Sequence, residues 1–250
     1  MNKSLNFTRL RMRGGSMSIK VFADGADIKG MLEMYREGNV QGFTTNPSLM
    51  KKGGVSDYRA FAKEVLVQIT DLPISFEVFA DDPEGMEAEA REIATWADNV
   101  YVKIPALNTK GESTKELVRK LSNDGIKINV TTLFTSEQIA DFIDAVSSDV
   151  PSIISIFAGR IADTGVDPMP TVADAVKLAA PKPLCEILWA STRELLNIFQ
   201  AESVGCQVIT VQNSILAKRR DVGKDLFEYS LDTVRGFSKD AQALGFRILP

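Results

Sequence analysis

From Ile19 onward, short apolar runs alternate with longer stretches whose apolar residues recur at i, i+3 and i+4. The first kind reads as strand and the second as amphipathic helix. The strand-like runs are Ile19–Asp24, Gln41–Asn46, Ile74–Ala80, Val100–Pro105, Lys127–Thr132, Ser152–Phe157, Leu184–Ala190 and Gln207–Val211. Helical spacing predicts helices over Tyr58–Ile69, Pro83–Ala97, Thr114–Asn123 and Ser136–Val146. Asn99, Gly125, Asp149 and Gly205 punctuate the changes from one kind of segment to the other.

Strand-helix units repeating at roughly 20–30 residues are the length of a minimal βα repeat. Eight of them in one α/β domain favour a single closed (β/α)8 TIM barrel over an open doubly wound sheet. An open sheet of that kind would carry a glycine-rich phosphate loop after its first strand, and Asp24-Gly-Ala-Asp27 is not one. No linker or change of composition marks a second domain. An additional C-terminal helix is expected over Asp225–Leu244, followed by Gly245 and the apolar Phe246, Ile248 and Leu249. Such a helix could pack on its own barrel or on a neighbouring subunit. Residues 1–18 are basic, with Lys3, Arg9, Arg11 and Arg13, and lack the apolar core of a secretory signal. They are expected to be a disordered or non-native extension, leaving 19–250 as the barrel domain.

Composition removes several chemistries. The 250 residues include no histidine, which excludes Ser-His-Asp and Cys-His catalysis, histidine-bound metals and imidazole acid/base work. Cys185 and Cys206 have neither the number nor the spacing of a disulfide framework or a zinc site, and read as buried free thiols. A net charge of −4 offers no nucleic-acid surface, and no run approaches the ~20 apolar residues of a membrane span. The sequence therefore reads as a cytoplasmic protein without nucleic-acid or membrane partners. Its chemistry falls to carboxylates, Lys, Tyr and Ser/Thr.

Strand alternation shows where those groups point. In a barrel, alternate side chains face the interior, and functional groups collect at the C-terminal ends of the strands. Val102 and Ile104 share the apolar face of their run, so Tyr101 and Lys103 face inward. The same rule turns Glu77, Asn129, Thr131 and Ser155 inward, and places Asp24, Thr44 and Asn46 at strand ends. A ring of polar residues with two carboxylates and a lysine is costly to bury without a function. Lys103 has three readings on these grounds: a nucleophilic amine, half of a buried ion pair, or a phosphate-binding cation.

Short segments in a fixed order now carry a resemblance. Phe22-Ala-Asp24, Thr44-Thr-Asn-Pro-Ser48, Phe76-Glu77-Val78, Val102-Lys-Ile-Pro105, Asn129-Val-Thr-Thr-Leu-Phe134, Phe157-Ala-Gly-Arg160 and Ala190-Ser-Thr-Arg193 resemble the transaldolase family, including its shorter members and the fructose-6-phosphate aldolases. The resemblance implies that Lys103 is the Schiff-base lysine, that Glu77 assists proton transfer through a water, and that Asp24 acts on the sugar hydroxyl. It implies that Asn46 and Asn129 hold the dihydroxyacetone moiety, and that Thr44 and Thr131 lie near the lysine and the catalytic water. Ser155 matches a polar site residue of the sixth strand. Arg160 and Arg193 match the cations that bind the substrate phosphate, with Ser191 beside the N-terminus of the next helix. Taken alone, either arginine could instead be half of an exposed surface pair. Fructose-6-phosphate aldolases usually carry Gln where Glu77 stands and Tyr where Phe157 stands, so both positions look like transaldolase. The segment after Pro105 (Ala106-Leu-Asn) departs from the commoner pattern.

The function implied is transfer of a dihydroxyacetone unit between sugar phosphates in the non-oxidative pentose phosphate pathway, with no metal or organic cofactor. The alternatives are an aldolase that releases free dihydroxyacetone, or a non-catalytic sugar-phosphate-binding barrel. Short members of the family often assemble into rings through a C-terminal helix, which makes a homo-oligomer the expectation.

Overall fold

The structure is a computed structural model that describes residues 18–248 and, before them, the pairing of Arg11–Met12 with Gly15–Ser16. The rest of the extension expected at 1–18, and Leu249 of the apolar tail, lie outside the described residues. Two compact units divide at Leu216.

The first unit is the barrel. Its strands are β1 (Lys20–Asp24), β2 (Gly42–Thr44), β3 (Ile74–Glu77), β4 (Val100–Pro105), β5 (Ile128–Leu133), β6 (Ser152–Ile156), β7 (Cys185–Trp189) and β8 (Val208–Gln212). Each pairs in parallel with the next, and β8 closes on β1 with Val208 opposite Lys20 and Gln212 opposite Asp24. This is the (β/α)8 barrel that the alternation predicts. Around it lie α1 (Ile28–Glu37), α2 (Pro47–Lys52), α3 (Tyr58–Gln68), α4 (Pro83–Ala94), α5 (Lys115–Asn123), α6 (Ser136–Ala145), α7 (Ala158–Asp163), α8 (Met169–Ala179), α9 (Leu196–Ser203) and α10 (Asn213–Leu216).

Local chemistry sets the helix starts. The side chains of Asp27, Asn46, Asp57 and Asp82 each accept the amide three residues on, and Pro stands at the first turn of α2 and α4. Thr135 and Gln138 complete a reciprocal capping box on α6.

Two apolar layers hold the barrel. The larger lies between sheet and helices and contains Phe43, Phe76, Val102, Ile104, Val130 and Ile187. The smaller fills the interior with Phe22, Ile153, Leu188, Ala190 and Val208, against which Tyr101 and Phe157 pack. Gly42 makes room for that filling, because a Cβ there would stand 2.6 Å from the ring of Phe22. The interior plug closes the lower barrel, so the polar residues above it form the floor and wall of a mouth. Both cysteines are free and buried.

Several strands are shorter than their apolar runs. β2 ends at Thr44, so Asn46 is the N-cap of α2 and not a strand residue. β3 ends at Glu77, because the amides of Phe79 and Ala80 turn to the carboxylate of Glu89. β6 ends at Ile156, leaving Phe157 as the N-cap of α7.

The second unit, taken by itself, holds a 3-10 turn at Ala217–Asp221 and the helix α11 (Leu226–Leu244). Asp225 caps the start of α11, and Gly245, at φ 65°, ends it. None of its described residues is buried, and Leu226, Phe227, Val234 and Phe237 are all exposed. Among the described residues no helix is long and apolar enough to cross a membrane.

Candidate active site

A cavity of about 460 Å³ opens at the C-terminal ends of the strands. Asp24, Thr44, Asn46, Glu77, Lys103, Thr131, Ser155, Phe157, Arg160, Ser191 and Arg193 all line it. Asn129, the remaining candidate, lies one layer below. It is fully buried, and its side chain donates one N–H to Ser75 Oγ at 2.9 Å and accepts from Ser155 Oγ at 2.7 Å. It therefore props Ser155 rather than lining the mouth.

Lys103 is 6% exposed. It stands directly opposite Glu77 in the β3–β4 register, and their charges meet at 3.0 Å, Nζ to Oε2. A second Nζ hydrogen goes to the carbonyl of Thr45 at 2.9 Å. An ammonium carries three donors, so these two contacts leave one for the cavity. The ion-pair reading of Lys103 is thus an observed contact. It does not exclude the nucleophile, because the same carboxylate can take the proton that an amine must lose before it attacks. Glu77 touches the amine itself, without an interposed group. Its backbone carbonyl accepts from the buried hydroxyl of Tyr58 at 3.0 Å, which stacks on Phe79 and so pins the strand end.

Asp24 sits across the mouth. Burial pushes its carboxyl above the usual range, while Lys103 and a hydrogen bond from Thr44 pull the other way. Thr44 Oγ1 donates to Asp24 Oδ1 at 2.8 Å and contacts Thr210 Oγ1 at 2.5 Å. A hydroxyl has one hydrogen, so Thr210 is the donor in the second contact, and a Thr210→Thr44→Asp24 chain runs across the closure of the barrel.

Thr131 Oγ1 is buried with no hydrogen-bond partner among the described residues, and it lines the cavity. The next residue, Thr132, has φ 61°, at a register shift in β5, and its Oγ1 accepts the amide of Ala106. A β-branched residue there is strained.

The far side of the cavity carries the cations. Arg160 lies over the ring of Phe157, 5.6 Å from its centroid. Arg193 is paired with Asp163 at 2.5 Å. Ser191, at φ 65°, turns the chain after β7. The helix N-terminus expected beside Ser191 is displaced, since α9 begins at Leu196 and the amides of Arg193 and Glu194 donate to Asn197 Oδ1. The side-chain oxygen of Asn197 thus occupies both amides.

Thr132, Thr210 and Gln212 also line the cavity and Thr45 reaches Lys103, four residues beyond those expected from the sequence. Thr210 follows from the alternation inside the run Gln207–Val211, and Gln212 from carrying it one residue further. Thr45 meets Lys103 through its backbone carbonyl, and Thr132 holds a positive φ, neither of which strand alternation reveals. Among the described residues no group of three or more His, Cys, Asp or Glu could hold a metal ion.

A closed parallel barrel whose C-terminal mouth holds a buried amine paired with Glu77, in a cavity also lined by Asp24, Arg160 and Arg193, defines a (β/α)8 barrel protein with a charged site at its strand ends. The chain belongs to the transaldolase/fructose-6-phosphate aldolase family, whose model matches residues 21–248. It is 34% identical to a probable transaldolase of Dehalococcoides mccartyi over 199 residues, covering 79% of this chain and 88% of that one. It is 37% identical to a probable transaldolase of Methanococcus maripaludis over 204 residues, covering 80% and 89%. Among solved structures, a putative lyase/mutase from Burkholderia cenocepacia shares the fold at a TM-score of 0.56 and 10% identity, over 89% of this chain and 87% of that one.

Proposed function

We propose that the protein is a transaldolase, carrying a dihydroxyacetone unit from fructose 6-phosphate or sedoheptulose 7-phosphate to erythrose 4-phosphate or glyceraldehyde 3-phosphate through a Schiff base on Lys103. The observation that carries this reading is the buried Lys103 amine, 3.0 Å from the Glu77 carboxylate, in a mouth it shares with Asp24.

The chemistry runs as follows for fructose 6-phosphate. Glu77 takes a proton from the ammonium, and the freed amine adds to the C2 carbonyl to give a carbinolamine. Return of that proton to the C2 hydroxyl expels water and leaves an iminium. Asp24 removes the proton of the C4 hydroxyl, the C3–C4 bond breaks, and its electron pair moves into the iminium as an enamine. Glyceraldehyde 3-phosphate departs. The enamine carbon then attacks the aldehyde of erythrose 4-phosphate, and Asp24 returns its proton to the new alkoxide. Water adds to the iminium, and sedoheptulose 7-phosphate leaves. The lysine serves as the electron sink, so the scheme needs no metal or organic cofactor.

In this reading Thr131 and Thr44 flank the reacting centre, Asn46, Ser155 and Phe157 shape the dihydroxyacetone pocket with Asn129 beneath them, and Ser191, Arg160 and Arg193 take the phosphate. The planar fork of Arg suits a phosphate. The setting is the non-oxidative pentose phosphate pathway in the cytoplasm. The exposed apolar side chains of α11 support a homo-oligomer joined through that helix, as in a ring.

The test is borohydride reduction with fructose 6-phosphate, with and without erythrose 4-phosphate. A reduced three-carbon adduct on Lys103 that disappears when the acceptor is present is the expected result. A Lys103→Ala protein with unchanged kinetics would overturn the proposal. Release of free dihydroxyacetone without acceptor, at the full rate, would make the protein a fructose-6-phosphate aldolase instead.

A further inference from the structure

Arg193 is held on two sides. Its Nε donates to Asp163 Oδ1 at 2.9 Å and its Nη2 to Asp163 Oδ2 at 2.5 Å, while Nη1 donates to the Ser191 carbonyl at 2.8 Å. A guanidinium has five N–H donors. One on each nitrogen is spent here, so a single N–H remains on each terminal nitrogen. Arg193 lines the cavity, whereas Asp163 is absent from its lining. The carboxylate therefore grips the lateral Nε/Nη2 edge from behind.

The chain is built to bring these two residues together. Asp163 is the last residue of α7, and Arg193 follows the turn after β7. That turn can lie against the start of α7 because residue 159 is glycine, since a Cβ there would fall 1.7 Å from the Ser191 carbonyl oxygen. The same carbonyl then accepts from Nη1. Two independent contacts, one from each element, thus fix the plane of the guanidinium.

We infer that Asp163 is a positioning residue for substrate phosphate, clamping Arg193 from outside the cavity so that its two remaining terminal N–H groups meet the phosphate oxygens. This rests on the reading of Arg193 as a phosphate-binding residue. A long, unclamped arginine gives up rotamer freedom when it binds, while a clamped one has already given it up on folding. The negative charge of Asp163 opposes the phosphate, so the sign of its effect is itself diagnostic.

The test compares Asp163→Ala, Asp163→Asn and Arg193→Ala with the unmodified protein. Three readouts are taken: kcat and KM for fructose 6-phosphate, competitive inhibition by inorganic phosphate, and borohydride trapping of dihydroxyacetone on Lys103. Asp163→Ala is expected to raise KM and weaken phosphate inhibition by about 2- to 5-fold, the scale of a well-aligned exposed ion pair. kcat and dihydroxyacetone trapping should stay unchanged. Asp163→Asn keeps one carbonyl oxygen for Nε and should recover part of the loss. A lower KM in Asp163→Ala would mean that the carboxylate competes with phosphate, and would overturn the inference. Loss of trapping together with KM would mean a merely structural role, and would also overturn it. If Arg193→Ala leaves KM and phosphate inhibition unchanged, the phosphate reading of Arg193 itself fails. If only the Asp163 variants are silent, that reading stands and the positioning role falls.

Discussion

Glu77 and Lys103 are register partners on adjacent parallel strands, and their carboxylate and ammonium meet at 3.0 Å above the apolar plug of the barrel. Neighbouring inward positions on parallel strands bring their side chains together, so the pair follows from backbone register rather than from long-range docking. In the proposed mechanism the contact also supplies a proton acceptor beside the amine that must be neutral to react.

Replacing Glu77 by Gln keeps the shape and removes the proton acceptor. Turnover is expected to fall by about 100-fold or more, the usual weight of acid/base assistance, with a much smaller change in KM. Steady-state kinetics check this, and a variant with near-normal kcat would mean that another group moves the proton.

Asp24 sets a pH dependence of definite sign. Burial holds its carboxyl above the usual carboxylate range, so the base that the proposed mechanism uses on the C4 hydroxyl is lost at a higher pH than for an ordinary aspartate of about 3.9. The acid limb of kcat/KM should lie above that value. For stability, the folded state holds this proton more tightly than the unfolded chain does. The contribution is present below the unfolded value and is lost as pH rises through the folded one. Urea midpoints measured across that window should decline with pH more steeply in the parent than in Asp24→Asn.

Gly42→Ala tests the interior plug. Its new methyl would stand 2.6 Å from the Phe22 ring, and overpacking of this kind costs about 1–3 kcal/mol. A lowered Tm is expected, with part of the loss restored by the double change Gly42→Ala and Phe22→Leu. An unchanged Tm in the single variant would show that Phe22 has room to move.

Gly159→Ala places a methyl 1.7 Å from a backbone carbonyl that carries Arg193. Neither side is a flexible tip, so a loss of about 3 kcal/mol is expected, at the upper end of overpacking costs. Denaturant unfolding would measure it. KM for phosphorylated substrates should rise with it, because Ser191 and Arg193 move together.

Much of the site was legible before the fold was known. Lys103 faces inward because Val102 and Ile104 occupy the helix-facing side of the same run, and both are fully buried there. Asp24, Glu77, Thr131 and Ser155 obeyed the same alternation. Errors came where a strand stopped. Asn46 and Phe157 read as strand residues, although each caps a helix. An apolar run does not reveal where ladder hydrogen bonds give way to a cap, because that depends on which neighbouring amides and carbonyls are in reach. Asn129 faces inward as expected, yet it lies below the cavity lining, bonded to Ser75 and Ser155. Period two names a face and not a depth.

By itself, the sequence determined the eight strand-helix units, their direction, the absence of imidazole chemistry and the inward lysine. These follow from local periodicity and composition, which need no partner. Only the tertiary structure decided which inward groups touch. Thr210 reaches Thr44 and, through it, Asp24 because β8 closes on β1. Asp163 reaches Arg193 because a glycine lets two loops approach. The contact between Lys103 and Glu77 stands between these cases. Their facing could be read from alternation, but their meeting at 3.0 Å required the shared register of two strands. Contacts between residues far apart along the chain depend on closure, register and close approach, and these are properties of the folded backbone rather than of any one segment.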